Sequence, residues 1–271
     1  MPSVLALFAH PDDIEFVAAG TLAMLGKQGW DIHLMNLANG CCGSTTTSRE
    51  ETARIRLEEA KQAASHLQAT HYDPIFNDLE IEYTQDAIKH LLGIIRKAKP
   101  TILLTHAPVD YMEDHMQTCR LAVTAAFAKG VPNYPEPRDR RYVEAYYGDI
   151  AIYHAQPHGN RTPLGQSVRP HLGVFVDEVM ETKRAMLAEH RSQQQWLKES
   201  QGMNSYIQTM LDLGSEVADL FRLSLDKDPP GKLAEGWTRH LHLGFSAEPF
   251  DPLKDALGDL VVAIERELTV R

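Results

Sequence analysis

The pattern of apolar and polar positions changes near residue 130. Before that point, short apolar runs alternate with segments of helical period. Val4-Leu5-Ala6-Leu7-Phe8-Ala9 is a short apolar run bounded by polar breakers, which predicts a buried strand. It stops at His10-Pro11, and Ile14, Val17, Ala18, Leu22 and Leu25 follow at helical spacing. Residues 31–37 predict a second strand, 38–48 a loop rich in Gly, Cys and Thr, and 50–67 a long helix. A third strand is expected at 71–76, interrupted by Pro74, a helix at 86–97, a fourth strand at 101–105 and a helix over 115–129. Strands alternating with helices in this way indicate βαβ crossovers and a parallel sheet. Beyond Gly130 the texture differs. Pro132, Pro135 and Pro137 mark a connecting loop, the aromatic-rich stretch 142–154 has room for one or two strands, and 157–170 is a polar loop. Val174-Phe175-Val176 is a short strand, and helices are expected over 177–197, 206–223 and 252–268. There is no repeat and no linker between separate cores. Residues 1–271 therefore read as one domain, a βαβ core over 1–130 with a C-terminal elaboration over 131–271.

The strand ends carry the chemistry. Open α/β sheets bind ligands at the carboxyl edge, where the first strand gives way to His10-Pro11-Asp12-Asp13. His10 and Asp13 lie three residues apart around a turn that Pro11 stiffens, so an imidazole and a carboxylate can converge on one metal ion. Asp12, between them, points elsewhere and is free to act as a base. The competing reading is a capping turn, with Asp12 or Asp13 accepting the first amides of the helix. The fourth strand ends at the same edge and leads through His106 to Asp110-Tyr111-Met112-Glu113-Asp114-His115. Catalytic zinc takes three protein ligands and keeps one position open; His10, Asp13 and His115 supply such a set. Asp114 can orient an imidazole from behind.

Composition narrows the function. Lys and Arg number 27 against 37 Asp and Glu, a formal net charge of −10, which does not suit nucleic acid or an anionic membrane. Arg138, Arg140 and Arg141 cluster, but Glu136 and Asp139 are interleaved with them, as in a solvated loop. Three cysteines, Cys41, Cys42 and Cys119, are too few for a disulfide scaffold and fit a reducing compartment. No apolar run is long enough to cross a bilayer, and the start lacks a basic signal-peptide region. A cytoplasmic location is expected. A G-x-G-x-x-G dinucleotide fingerprint is absent after the first strand.

His-Pro-Asp-Asp after the first strand, with Asp114-His115 opening a later helix, resembles the LmbE/PIG-L family of zinc-dependent deacetylases. Asn39-Gly40 with Gly43, Arg56 and Glu59 with Ala63 and Leu67, Lys99-Pro100, and the stretch from Lys183 through His190, Ser192, Gln193 and Trp196 add to the likeness. The resemblance implies a three-layer Rossmann-like α/β fold, with a mainly parallel sheet and a mainly helical C-terminal elaboration. It implies one Zn²⁺ per chain on His10, Asp13 and His115, Asp12 as general base, and removal of an N-acetyl group from an amino sugar or its conjugate by metal-activated water. It further implies substrate contacts at Arg56 and Asp78, and a homo-oligomer. One position departs from the family: Met112 stands where a histidine usually helps to stabilise the oxyanion. His154 and His158 are the first choice to replace it; Tyr111, His106, His240 and His242 are others. An amidase for a non-sugar conjugate, or a non-catalytic sugar- or nucleotide-binding module, are the alternatives.

Overall fold

The computed structural model describes residues 1–134, 143–202, 205–224 and 228–264. All six residues of β1 (Ser3–Phe8) are buried, and their alternation supplies both faces of the core. Val4, Ala6 and Phe8 join one apolar cluster, while Leu5 and Leu7 join another across the sheet. β2 (Asp31–Asn36) and β4 (Ile102–Thr105) pair with β1 in parallel on its two sides. β3 (Thr70–Tyr72) extends the sheet beyond β2, and β5 (Ala151–Ala155) beyond β4, again in parallel. The expected third strand is cut short before Pro74, and only Phe76 bridges back, to Ala38. Three further strands are β6 (Leu172–Phe175), β7 (Ala234–Arg239) and β8 (Val261–Ala263). They are joined by antiparallel pairings, and the sheet order is β3-β2-β1-β4-β5-β7-β6-β8.

Helices α1 (Asp13–Val17) and α2 (Ala19–Lys27) lie on the Val4 face. On the same face are α3 (Arg49–Ser65), α6 (Met180–Ala188), α7 (Arg191–Gln201), α8 (Tyr206–Arg222) and α9 (Pro252–Leu257). The other face is covered by α4 (Gln85–Ala98) and α5 (Glu113–Phe127), through Ile88, Leu91, Leu121 and Ala125. The expected three layers are present. The helices begin where side-chain caps dictate: Ser48 Oγ accepts the Glu51 amide at 3.2 Å, and Thr84 Oγ1 accepts that of Ala87 at 3.2 Å. α4 ends at Lys99, left-handed at φ 47°, immediately before Pro100.

Two expectations need correction. The stretch 252–268 is not one helix, because α9 stops at Leu257 and Val261 enters the sheet as β8. The helix expected over 177–197 is broken at Glu189-His190 into α6 and α7. The loop bearing Pro135, Pro137, Arg138, Arg140 and Arg141, and the stretch reaching Leu268, lie outside the described residues. No helix among the described residues is long and apolar enough to cross a membrane.

The chain runs outward from β1 first to β2 and β3, then returns to β4 on the other side. That reversal opens a crevice at the carboxyl ends of β1 and β4.

Candidate metal centre

The turn leaving β1 closes on itself. Asp13 donates its amide to the His10 carbonyl at 3.2 Å, and its Oδ2 accepts the His10 amide at 2.7 Å. Asn36 Nδ2, at the end of β2, donates to the same carbonyl at 2.6 Å. Between them Asp12 sits at φ 109° and ψ −26°, a region that non-glycine residues adopt only when their surroundings impose it. Arg56 of α3 is the imposing group. Its Nη2 donates to the Pro11 carbonyl at 2.5 Å and lies 3.6 Å from Asp12 Oδ1, while Nη1 donates to the Gly40 carbonyl at 3.2 Å. A Cβ on Gly40, itself at φ 68°, would fall 2.5 Å from Arg56 Nη1, so only glycine lets the guanidinium reach the turn.

Asp13 is the centre of convergence. His10 Nδ1 lies 3.4 Å from Asp13 Oδ2 and His115 Nε2 lies 3.4 Å from Asp13 Oδ1. Each imidazole presents its other nitrogen to a buried carboxylate. His10 Nε2 stands 2.9 Å from Asp114 Oδ2 and 3.0 Å from Asp78 Oδ1, and His115 Nδ1 stands 3.1 Å from Asp110 Oδ1. One ligand atom from each of His10, Asp13 and His115 lies within 4.8 Å of the other two. Two imidazoles, one carboxylate and anchored rear nitrogens form a donor set that fits a divalent metal such as zinc. Two overlapping trios are also compact, His106 with Asp110 and His115, and His10 with Asp78 and Asp114. They suit a metal less well. His106 Nε2 already accepts the Ala9 amide at 2.9 Å. Asp114 does not reach the cavity over these groups, so the third trio offers an entering ligand only His10 and Asp78.

The electrostatics call for a cation at this place. Burial alone would depress the His10 imidazole, yet Asp114, Asp13 and Asp78 hold it well above its ordinary range. Burial likewise works against His115 and is outweighed by Asp13 and Asp110, so its pKa is raised. Asp13 is held well below the usual carboxylate range because His115, His106 and His10 outweigh its burial. Asp12 behaves oppositely: burial pushes it up to about 6 despite Arg56. Its Oδ2 accepts the hydroxyl of Tyr206, the first residue of α8. The two neighbouring carboxylates are thus shifted in opposite directions.

A cavity of about 400 Å³ opens over these groups. It reaches every sequence-predicted site residue except Asp114, His154, His240 and His242. Arg56 and Asp78 line it, but their polar contacts run to the turn and Gly40, and to His10 and Cys42. His158 lines it too, its ring edge-on to Phe16 at 5.7 Å, and burial lowers its pKa. Met112 and Tyr111 form part of the wall. His154 is not brought to the cavity. It points from β5 toward α5 and the 240 region, with Nδ1 2.9 Å from the His106 carbonyl and Nε2 2.9 Å from His240 Nδ1. Both its nitrogens, and that of His240, are thereby committed away from the metal ligands. Asp110 and Tyr206 are additions that the sequence did not assign. Asp110 lay in the quoted motif, but nothing distinguished it from a loop residue. Tyr206 reads as one more apolar position of an amphipathic helix.

Residues 5–127 match the family model described as GlcNAc-PI de-N-acetylase (PIG-L). Over 204 residues the chain is 28% identical to a diacetylchitobiose deacetylase of Thermococcus kodakarensis, covering 70% of this chain and 69% of the relative. Over 193 residues it is 26% identical to a 4-oxalmesaconate hydratase of Pseudomonas putida, covering 68% and 71%. The solved structure of N,N'-diacetylchitobiose deacetylase from Pyrococcus horikoshii superposes with a TM-score of 0.74 at 22% identity, covering 93% of this chain and 88% of the other.

Proposed function

Because residues 5–127 match the PIG-L family model, we propose that this protein is a zinc-dependent hydrolase that removes the N-acetyl group from an amino sugar or its conjugate. The observation that carries the reading is the division of labour at one turn. His10, Asp13 and His115 gather around a point that wants a cation, while Asp12 stands beside them with a pKa of about 6. A zinc ion held there would act as a Lewis acid and make water a better nucleophile at neutral pH. Asp12 takes the proton from water as it adds to the amide carbon, and Tyr206 and Arg56 keep its carboxylate aimed. His158, kept neutral by burial, donates its N–H to the carbonyl oxygen as charge develops there. Asp12 then passes its proton to the amine nitrogen as the C–N bond breaks, leaving acetate and a free amine. The free thiols Cys41, Cys42 and Cys119 suit a cytoplasmic setting, and a homo-oligomer is the assembly expected from the family likeness.

The hydratase relative supports a second reading, in which the same centre adds water to a carbon–carbon double bond of a carboxylate substrate. Cavity charge favours the amide. Among the described lining residues Arg56 is the single Lys or Arg, and its guanidinium is already spent on Pro11, Gly40 and Asp12. A substrate with several carboxylates would meet Asp12, Asp13, Asp78 and Asp110, with the metal position as the main cationic group to offset them.

Elemental analysis beside a free-amine assay on N-acetyl amino sugars tests the proposal. Wild type should carry roughly one zinc per chain and His115→Ala much less; equal zinc in both sinks the ligand set. Asp12→Asn should keep the metal and lose about 10²–10⁴-fold in rate. His158→Ala should keep it and lose about 10²–10³-fold. Hydration of an unsaturated carboxylate, with no amine released from any N-acetyl sugar, would replace this reading by the second.

A further inference from the structure

α7 turns one face to the main cavity. Gln193, Trp196 and Leu197, at the spacing of helical neighbours, all line it. The start of the helix is tied down, because Glu59 of α3 accepts the Ser192 amide at 2.9 Å and the Ser192 hydroxyl at 2.6 Å. Gln193 is thus fixed through its backbone, yet its side chain makes no hydrogen bond to another described residue. A carboxamide in a cavity wall, on an anchored helix and without a protein partner, calls for a ligand group.

The two ends of that amide differ in their surroundings. A Cβ on Gly43 would fall 2.8 Å from Arg56 Nη1 and 2.9 Å from Gln193 Oε1, so the two side chains converge over this glycine. Oxygen is the end that suits a guanidinium neighbour. Oε1 is enclosed there, which leaves Nε2, with its two N–H donors, for the cavity. Nη2 of the same guanidinium lies 3.6 Å from Asp12 Oδ1, so Gln193 stands on the flank of Asp12. His158 stands on the other flank, where Asp13, His115 and Asp110 are the charges that act on it. In the deacetylase mechanism the carbonyl oxygen turns to His158 and the departing nitrogen to Asp12. The part of the substrate that keeps the nitrogen therefore lies along Arg56 and Gln193. A carboxylate there would face Asp12 and Asp78 with Arg56 already committed, whereas a hydroxyl oxygen accepts an amide N–H with no charge to bury.

We propose that Gln193 is a specificity-determining residue: its Nε2 donates to a hydroxyl oxygen on a carbon flanking the one that carries the amide. The preferred substrate is then an N-acetylated amino alcohol, as in a 2-acetamido sugar, over a plain N-acetyl amine. The proposal rests on the deacetylase reading, and the test separates the two.

The zinc-loaded protein is assayed on N-acetylglucosamine and on its 1-deoxy and 3-deoxy analogues, each lacking one flanking hydroxyl. Gln193→Met is the variant, since it keeps the side-chain length and helix preference and removes the donor. Wild type should lose about 2- to 10-fold in kcat/KM on at least one analogue, the worth of one neutral hydrogen bond. Gln193→Met should lose as much on N-acetylglucosamine and little further on that analogue, because the partner hydroxyl is already gone. Equal use of all three sugars by wild type overturns the assignment. So does an equal loss on all three by the variant, which marks a residue that only packs. If no sugar is hydrolysed, the deacetylase reading has failed and binding decides. By calorimetry, wild type should then bind glucosamine about 2- to 10-fold more tightly than its 1-deoxy or 3-deoxy form, and Gln193→Met should bind that pair equally. No preference in wild type, or the same preference in the variant, overturns the proposal as well.

Discussion

The imidazoles of His10 and His115, which we propose as metal ligands, each have a buried carboxylate at the nitrogen turned from Asp13. Asp110 behind His115 is 1% exposed, and its Oδ1 lies 3.1 Å from Nδ1, where its negative charge favours a proton on that nitrogen and leaves Nε2 toward Asp13. Asp110→Asn should therefore lower metal affinity by about 10–100-fold with folding intact. Competition against a graded series of chelators reads this, and an unchanged affinity would show that Asp110 only packs. Residue by residue, the sequence was clearest where strand ends put polar groups next to one another, as at His10, Asp12, Asp13 and His115. Asp114 was legible for the same reason. His154 and His158 could not be ranked in advance. In a strand, alternate residues face opposite sides, and His154 lies inside β5 with its side chain sent toward Cys119 and His240. His158 lies beyond the strand's end, past Pro157, where the chain turns over the cavity. Tyr206 is 194 residues from its partner Asp12, and no local pattern links an aromatic at a helix start to an acid so far away.

Among the elements, β7 was the least legible and has a structural role of its own. Ala-Glu-Gly-Trp-Thr-Arg has an acid and a glycine where a buried strand would show aliphatic residues. The glycine is needed: a Cβ on Gly236 would fall 2.7 Å from Gln156 Cγ. The acid is needed as well. Glu235 accepts the Gly20 and Thr21 amides at 2.8 and 2.7 Å, at the start of α2, and pairs with Lys183 of α6. Lys183 also donates to the Phe16 carbonyl at 2.9 Å. A helix N-terminus welcomes a carboxylate, and together these bonds fasten the late strand and α6 to the first helices. Lys183→Met strands a buried carboxylate and should cost about 3–5 kcal/mol in denaturant unfolding. Adding Glu235→Leu should return part of that loss. A Lys183→Met protein within ~0.5 kcal/mol of wild type would mean that the α2 amides alone satisfy Glu235.

At the scale of the whole molecule, a buried neutral histidine makes stability depend on pH. Burial pushes His154 down to about 4, helped by His240 and only partly opposed by the His106 carbonyl. In the unfolded chain the same ring takes a proton near 6.5. Between those values the unfolded state binds more protons, so stability is full at neutral pH and falls as the pH drops from about 6.5 toward 4, by at most about 3 kcal/mol. Urea midpoints of wild type and His154→Gln across this window should diverge, with the variant flatter; parallel curves would show that His154 stays solvated. Fold class and layer order were legible at this scale because β1, β4, α4 and α5 obey their own periodicities. The far half of the sheet was legible only at β6, expected from Val174-Phe175-Val176, since β7 carries an acid and a glycine and β8 is three residues long, and both take their places from pairing partners distant in sequence.

The cavity is built from two stretches of chain with unequal duties. Everything that gathers around the metal position, from His10 through Asp78 and Asp110 to His115, precedes residue 116. Among the groups that close over it, His158, Gln193, Trp196 and Tyr206 all come later. A change confined to Gln193 or Trp196 can therefore alter what the cavity admits while leaving the His10, Asp13 and His115 cluster as it is, and Met112, an apolar side chain in the same wall, is a further place where such a change would show.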